Sequence, residues 1–372
     1  MYGIHTLILK HGLNLEQAAA ILCYDRDRFY SKLQQLKANE SYIFNLLTSA
    51  VLIRKMDIVV TKLYNSSFDV CLRLQVAPMD IIKGRKTEAI FELTNENIKA
   101  FLSGLNVLLN ELFDVYPFIE KDCKQWDVNY IEYSANLYSN NVNLALEMLK
   151  KNTKDVQAKY FTSEDGYTLS ISKKAKHRRN SSTTLYNKEE AVKTLHKSDY
   201  SELKDDVDGY IRYERQLGRE YLWTMVAKKD ESKDNLDYYL NNSIARHILA
   251  VGYSAKFATG DFYSLQYIRK FVESKTLKNY AESATKARSI RCTKNKARNG
   301  KGLSVSTNNK RIKEFDGIGI APVAIPVRAN TDFLFNPIPR DWLTESERIN
   351  KTVNFFNYSG IKFDTSNNTF IH

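Results

Sequence analysis

Three short segments of the chain alternate between apolar and polar residues, and this alternation constrains the fold more than any other feature of the sequence. A period of two predicts strands that bury one face of a sheet and keep the other face polar. In the first segment, residues 127–137, the apolar face consists of Ile131, Tyr133, Ala135 and Leu137. The opposite face consists of Tyr130, Glu132, Ser134 and Asn136.

The other two segments lie at the ends of residues 183–216 and are rich in Thr, Tyr, Ile and Leu, as strands are. The segment at the start of this range places Thr184, Tyr186 and Lys188 on one face. The second places Arg212, Glu214 and Gln216 on one face, opposite Ile211, Tyr213 and Leu217. A tyrosine and a lysine that face an acid flanked by arginine and glutamine could form a nucleophile site. The same residues also fit a solvated sheet face.

Helical periodicity predicts elements that cover such a sheet. Residues 95–113 place their apolar side chains along one stripe, which is typical of an amphipathic helix. Residues 56–64 and 68–76 flank the turn residues 65–67 and predict a β-hairpin. Further helices are predicted over residues 236–251, 263–274 and 343–356. The sequence therefore predicts an α+β protein, with an antiparallel sheet covered by helices and a mainly helical C-terminal domain.

Composition shifts along the chain suggest three parts, which are residues 1–50, 51–225 and 226–372. The first part contains a strand over residues 4–9 and then two short helices. The second helix, over residues 26–36, carries Arg26, Arg28, Tyr30 and Lys32. This helix pair resembles a helix-turn-helix DNA reader, and a plain helical hairpin gives the same periodicity.

The net charge of +12 and the pI near 9.2 favour a polyanionic partner, nucleic acid before membrane. The 23 tyrosines and 18 phenylalanines strengthen this expectation, because aromatic rings stack on unpaired bases. The four cysteines include no CxxC pair, which disfavours a zinc finger or a disulfide framework and fits a reducing cytoplasm. The sequence shows no signal peptide and no long apolar run, so we expect a protein of the cytoplasm with no membrane partner.

Two basic segments are candidate DNA contacts. The first leads into the tyrosine segment and includes Lys176, His177, Arg178 and Arg179. The second has ten Lys or Arg between Lys286 and Lys313 without an acid, and includes Lys294, Lys296 and Arg298. We interpret the second segment as an arm that follows a DNA backbone. A solvated loop is the alternative for the first.

The order of Glu132, Tyr186 and Glu214 on three strands resembles the replication initiators of filamentous bacteriophages, the gene II and gene X proteins. Related rolling-circle plasmid initiators and relaxases share the pattern. The resemblance covers roughly residues 50–362. The segments that carry it are Cys71-Leu72-Arg73-Leu74-Gln75-Val76-Ala77-Pro78 with Ile82-Lys83-Gly84, Tyr130-Ile131-Glu132, Leu185-Tyr186-Asn187-Lys188, Arg212-Tyr213-Glu214, and Pro339-Arg340-Asp341-Trp342 with Gly360-Ile361.

The resemblance implies that residues 51–225 form a divergent nicking domain of the HUH-like class, with a surface tyrosine on an antiparallel sheet. Two departures are visible. The paired metal-binding histidines of the wider class are absent, and this branch would use carboxylates instead. Glu132 stands where the family has aspartate, and Tyr130 stands where it has arginine.

The family chemistry assigns roles to these residues. Tyr186 would attack a phosphodiester, release a 3′-hydroxyl and remain as a 5′-phosphotyrosine, with Lys188 stabilising the charge. Mg²⁺ or Mn²⁺ would be held by Glu132 and Glu214, with Asn136 as a further candidate. Arg212 would clamp a phosphate.

The expected function is therefore initiation of rolling-circle DNA replication by nicking and rejoining one strand at an origin. The expected partners are the origin duplex and its single strand, with a host helicase and polymerase, in the cytoplasm of a bacterial host cell. A conjugative relaxase would use the same chemistry. A sequence-specific DNA-binding protein without catalysis is the alternative from a different class, and the helix pair and the basic segments motivate it.

Overall fold

The computed structural model describes residues 1–23, 26–47, 50–154, 159–162, 168–174, 179–195, 200–287, 290, 293, 302–364 and 369–371. The strands are β1 Tyr2–Leu13, β2 Ser41–Leu46, β3 Ile53–Lys62, β4 Phe68–Val76, β5 Asp127–Tyr138, β6 Lys159–Thr162, β7 Thr168–Lys174, β8 Arg179–Asn187, β9 Tyr210–Gly218, β10 Phe262–Tyr263, β11 Phe333–Leu334, β12 Lys362–Asp364 and β13 Thr369–Ile371. The α-helices are α1 Leu15–Ile21, α2 Arg26–Gln35, α3 Pro78–Lys83, α4 Asn95–Phe113, α5 Val142–Lys151, α6 Lys188–Leu195, α7 Tyr200–Val207, α8 Arg219–Leu222, α9 Leu236–Tyr239, α10 Asn242–Lys256, α11 Leu265–Phe271, α12 Lys275–Lys286, α13 Val305–Gly317 and α14 Glu345–Ser359.

The largest sheet has the strand order β2-β3-β4-β1-β5-β9-β8-β7-β6. The pairs β1–β4, β1–β5, β2–β3, β3–β4 and β6–β7 are antiparallel. The predicted α+β class, with an antiparallel sheet and many helices, is confirmed. The predicted β3–β4 hairpin also forms, and Ser66 at its turn has a φ of 64°.

Contacts between Cα atoms divide the chain into two units. The first unit consists of residues 1–135, 174–182 and 214–246. Its core lies on one face of the strands, where Leu9 is opposite Leu74 and Ile58 is opposite Leu72, all fully buried. This face is apolar because branched side chains recur at every second position of these strands.

The helix α4 of the first unit has the bounds that its apolar stripe predicts. The Thr94 hydroxyl accepts a hydrogen bond of 3.2 Å from the Asn97 amide and so caps its first turn. Phe101, Leu105 and Leu109 are fully buried along one side of the helix. Burial of such a stripe stabilises a helix more than intrinsic propensity does.

The second unit consists of residues 136–173, 183–213 and 247–372. An ion pair lies in its core, where Lys351 Nζ is 2.9 Å from Asp261 Oδ1 and the two side chains are 8% and 1% exposed. The same oxygen accepts a 2.9 Å hydrogen bond from the Asn336 amide. Tyr253 donates a 2.6 Å hydrogen bond to Asn336 Oδ1, which extends the buried polar network.

Several elements differ from the sequence prediction, among them α13 Val305–Gly317, whose first half lies in the predicted basic arm. Residues 188–207 contain the helices α6 and α7, although the sequence predicts only a polar run there. Lys188 is consequently the first residue of a helix, and its predicted place on a strand is wrong. The edge strand β2 was not predicted. Exposed residues alternate with the more buried Tyr42 and Phe44 in β2, but the segment is short and the exposed Ile43 interrupts the alternation of polar and apolar residues.

The N-terminal helix pair is present, with Asn14 forming a capping box at α1. On α2, Phe29 and Leu33 are buried, and the Phe29 ring lies 5.4 Å from the ring of Phe44 on β2. The second helix of the pair therefore packs on the edge strand β2. Its role in reading DNA stays a prediction.

Within the described ranges, no helix combines the length and the apolar character needed to span a bilayer. The described cysteines Cys23, Cys71 and Cys123 are free thiols.

Candidate metal centre

His5, Glu132 and Glu214 form a cluster in the first unit. One ligand atom from each residue can be chosen such that all three atoms lie within 4.8 Å of one another. The residues come from the strands β1, β5 and β9, which are neighbours in the sheet. Three distant parts of the sequence therefore supply one imidazole and two carboxylates to one place.

Strand alternation explains the position of the two carboxylates. On β5, Ile131 and Tyr133 are fully buried on the apolar side, and Glu132 between them points to the opposite face. On β9, Tyr213 is likewise fully buried on the apolar side, and Glu214 next to it points to the opposite face. The sequence prediction placed both glutamates on polar faces, and the cluster brings them together.

A β-bulge on β1 explains the position of His5. Ile4 is opposite Tyr133 and Thr6 is opposite Glu132, so His5 is an extra residue in β1. Such a bulge redirects the side chains on either side of it. It lets Ile4 remain fully buried in the core, while His5 is directed to Glu132 on the other face.

Hydrogen bonds order the carboxylate of Glu132. Its Oε1 lies 2.8 Å from His5 Nδ1, and its Oε2 accepts a 3.1 Å bond from the Tyr130 hydroxyl and a 3.2 Å bond from Gln216 Nε2. The Ser182 hydroxyl donates to Gln216 Oε1 at 2.6 Å, which fixes the orientation of that amide. Glu132 is thus held rigidly by side chains of three strands.

The cluster concentrates negative charge in a buried place. Glu132 and Glu214 are each 6% exposed. Burial, the charge of Glu132 with its hydrogen bond, and the charge of Glu214 raise the pKa of Tyr130 well above its usual range. Tyr130 therefore stays a neutral hydrogen-bond donor. Burial of ionised carboxylates is energetically unfavourable unless a cation lies close by. A metal ion is one such cation.

The donor set fits a divalent cation. Two ligand atoms at right angles, each about 2.1 Å from one ion, are about 3 Å apart, which matches the 2.8 Å between His5 Nδ1 and Glu132 Oε1. Imidazole nitrogens and carboxylate oxygens are both ligand types that proteins use for divalent metal ions. On the same face of β5, the Ser134 hydroxyl is fully buried and has no hydrogen-bond partner in the described part of the chain.

Four further predicted site residues belong to the second unit, namely Asn136, Tyr186, Lys188 and Arg212. Asn136, predicted as a metal ligand, uses its Oδ1 to accept a 2.8 Å hydrogen bond from Arg212 Nε. Arg212, predicted to clamp a phosphate, is 1% exposed. Lys188 is 2% exposed, and its Nζ lies 5.8 Å from the ring centroid of the half-buried Tyr186. The lysine cation and the tyrosine ring are therefore neighbours, and their catalytic roles stay predictions.

Six of the predicted DNA contacts lie outside the described residues, namely Lys176, His177, Arg178, Lys294, Lys296 and Arg298. The side chain of Arg179, at the start of β8, is likewise outside the described part of the chain. Their contact with DNA stays a prediction.

The sequence analysis missed His5. The sequence contains one signal for the bulge that positions His5, namely the spacing of Ile4, Leu7 and Leu9. Apolar residues shift from an even to an odd position within this strand, and such a shift indicates a bulge. Comparison of the chain with protein-family models, with characterised proteins and with solved structures finds no match.

Proposed function

We propose that this chain is a metal-dependent DNA nicking and joining enzyme that initiates rolling-circle replication. The observation that carries the proposal is the convergence of His5, Glu132 and Glu214. The net charge of +12 supports a polyanionic substrate. The resemblance of the strand motifs to phage initiators supplies the reaction type.

In this proposal the phenol oxygen of Tyr186 attacks the phosphorus of a phosphodiester. The bond from phosphorus to the 3′ oxygen breaks, that oxygen takes up a proton, and the 5′ end stays on the tyrosine. His5, Glu132 and Glu214 would hold a divalent ion, which would supply Lewis-acid stabilisation to a phosphate. In the reverse reaction, a 3′-hydroxyl attacks the phosphotyrosine and rejoins the strand.

The residues around these groups have supporting roles. Lys188 supplies a buried positive charge close to the Tyr186 ring, which stabilises a phenolate. Tyr130 and Gln216 hold Glu132 in one rotamer, so the ligand set is ordered before an ion binds. Ordering before binding lowers the entropy cost of binding the ion.

The test is a nicking assay with supercoiled plasmid that carries the DNA flanking the coding gene. With Mn²⁺, the wild-type protein should convert supercoiled plasmid into open circles and migrate with a DNA 5′ end on a denaturing gel. Tyr186→Phe should abolish the adduct. Tyr138→Phe, which changes an exposed tyrosine on β5, is the matched control and should nick normally.

Two outcomes would overturn parts of the proposal. Nicking by Tyr186→Phe at the wild-type rate would exclude this tyrosine as the nucleophile. Salt-sensitive binding of the plasmid without any nicking or adduct in Mn²⁺ would instead indicate a DNA-binding protein without catalysis.

A further inference from the structure

The two ring nitrogens of His5 face two different carboxylates. Nδ1 lies 2.8 Å from Glu132 Oε1, inside the metal-ligand cluster. Nε2 lies 3.8 Å from Glu88 Oε2 on the other side of the ring. The side chains of His5, Glu132 and Glu88 are 12%, 9% and 17% exposed, so all three are largely shielded from water.

An imidazole that binds an ion through one nitrogen must carry its proton on the other nitrogen. If Nδ1 of His5 held an ion together with Glu132, the ring proton would be on Nε2. Glu88 is the carboxylate on that side of the ring. In metalloproteins such an outer carboxylate fixes the tautomer and the ring orientation, and makes the ligand nitrogen more basic.

The backbone holds the segment of Glu88 against β1. Ile4 and Phe91 exchange two hydrogen bonds, of 3.0 and 2.9 Å, and form an isolated antiparallel bridge next to His5. Gly3 permits this approach, because a Cβ at this position would lie 1.9 Å from the Phe91 carbonyl oxygen. The close contact therefore requires glycine.

A buried ion pair fixes the other end of the same segment. Asp80 is fully buried, and its Oδ1 accepts a 2.8 Å hydrogen bond from the Thr87 amide. Arg54 donates to Asp80 Oδ2 at 3.0 Å and to the Thr87 carbonyl at 3.2 Å. Glu88 follows Thr87 directly, so its backbone is fixed on both sides.

We propose that Glu88 is the positioning carboxylate of the metal centre. In the metal-loaded protein it would accept the Nε2 proton of His5, once the 3.8 Å separation of the two atoms shortens to hydrogen-bond distance, and would so direct Nδ1 toward an ion held with Glu132 and Glu214. This inference rests on the proposed metal centre, and it adds a residue that is itself not a ligand.

The first measurement is the affinity for Mn²⁺, read from the electron paramagnetic resonance signal of free Mn²⁺. We expect Glu88→Ala to weaken binding about 10- to 100-fold. Glu88→Gln keeps an acceptor oxygen and should recover most of the affinity. A purely electrostatic effect would weaken both variants equally. Glu96→Ala, which removes an exposed carboxylate from the first turn of α4, is the control and should bind normally.

The second measurement is the ¹H–¹⁵N correlation spectrum of the His5 ring in the protein loaded with diamagnetic Zn²⁺. The wild type should show a slowly exchanging Nε2 proton, and Glu88→Ala should show a rapidly exchanging one. A proton on Nδ1 in the loaded wild type would overturn the proposal, as would wild-type Mn²⁺ affinity in Glu88→Ala. Failure of the wild type to bind Mn²⁺ or Zn²⁺ would overturn the metal centre as well, which distinguishes the two failures.

Discussion

The Nδ1 atom of His5 lies 2.8 Å from Oε1 of Glu132, although the two residues are 127 positions apart in the chain. The pairing of β1 with β5 brings the strands together, and the bulge at His5 turns the imidazole to the carboxylate. The contact joins the N-terminal strand to the segment whose alternation is clearest in the sequence. Its chemistry and its surroundings can each be tested.

The imidazole should set the metal preference of the centre. We expect His5→Glu, which gives an all-oxygen donor set, to lower the preference for Mn²⁺ over Mg²⁺ by about tenfold. Competition of Mg²⁺ against Mn²⁺, followed by electron paramagnetic resonance, measures the ratio. His11→Gln on the same strand should leave the ratio unchanged. An unchanged ratio in His5→Glu would mean that His5 is not a ligand.

The contact of Gly3 with Phe91 should couple stability to metal binding. We expect Gly3→Ala to destabilise the fold by about 1–3 kcal/mol, because the new Cβ overlaps a backbone oxygen. It should also weaken Mn²⁺ binding, because the segment of Glu88 must move. Gly12→Ala on the same strand has no atom within 4 Å of the new Cβ and is the control for chemical denaturation. Equal stability of the two variants would contradict the close approach of Phe91 to β1.

Breaking the buried ion pair between Lys351 and Asp261 should lower the free energy of unfolding by an amount that depends on pH. Burial raises the pKa of Asp261, while the Lys351 cation opposes this rise. We expect Lys351→Met to cost about 3–5 kcal/mol at neutral pH, because it leaves a buried carboxylate without its cation. A raised folded-state pKa means that the native protein binds the Asp261 proton more tightly than the unfolded chain.

The stability that Lys351→Met loses should therefore decrease as the pH falls through the folded-state pKa of Asp261, because the carboxyl group becomes neutral there. Urea unfolding of both proteins over a pH series measures this difference. Lys310→Met, on the exposed side of α13, should show no such trend. A penalty that is independent of pH would show that lost packing, rather than lost charge, destabilises the variant.

The hydroxyl of Tyr133 should stabilise the first unit. It is fully buried and donates a 2.8 Å hydrogen bond to the Tyr239 carbonyl at the end of α9. We expect Tyr133→Phe to cost about 1–3 kcal/mol, because a buried acceptor loses its donor. Tyr138→Phe, at an exposed position of the same strand, should cost nothing measurable in the same thermal denaturation. Similar melting temperatures for both variants would argue against the bond.

Regular periodicity made much of the fold predictable from the sequence. The helix α4 has both predicted ends, because its apolar stripe and its cap at Thr94 are local signals. The strand β5 was predicted because apolar and polar residues alternate over residues 130–137. The start of α6 at Lys188 was missed, although local signals exist. Asn187 accepts a 3.3 Å hydrogen bond from the Glu190 amide, and Glu189 and Glu190 occupy the first turn, as is typical of a helix N-terminus.

The candidate centre was predictable only in part. Glu132 and Glu214 follow from alternation, since Glu132 lies between the buried Ile131 and Tyr133, and Glu214 follows the buried Tyr213 on its strand. His5 does not follow from it, because a bulge breaks the period and the strand partner is distant in sequence. Glu88 lies outside the predicted elements, and long-range contacts such as the bridge between Ile4 and Phe91 bring its segment to the site.

The additional residue in β1 has a genetic consequence. The two halves of this strand are out of phase, so deletion of a single codon between Gly3 and Leu7 would restore a continuous period of two. Either the imidazole would then leave the carboxylates, or Ile4 would leave the core. Strand length, rather than the identity of any one apolar residue, therefore controls whether this sheet retains its nitrogen donor.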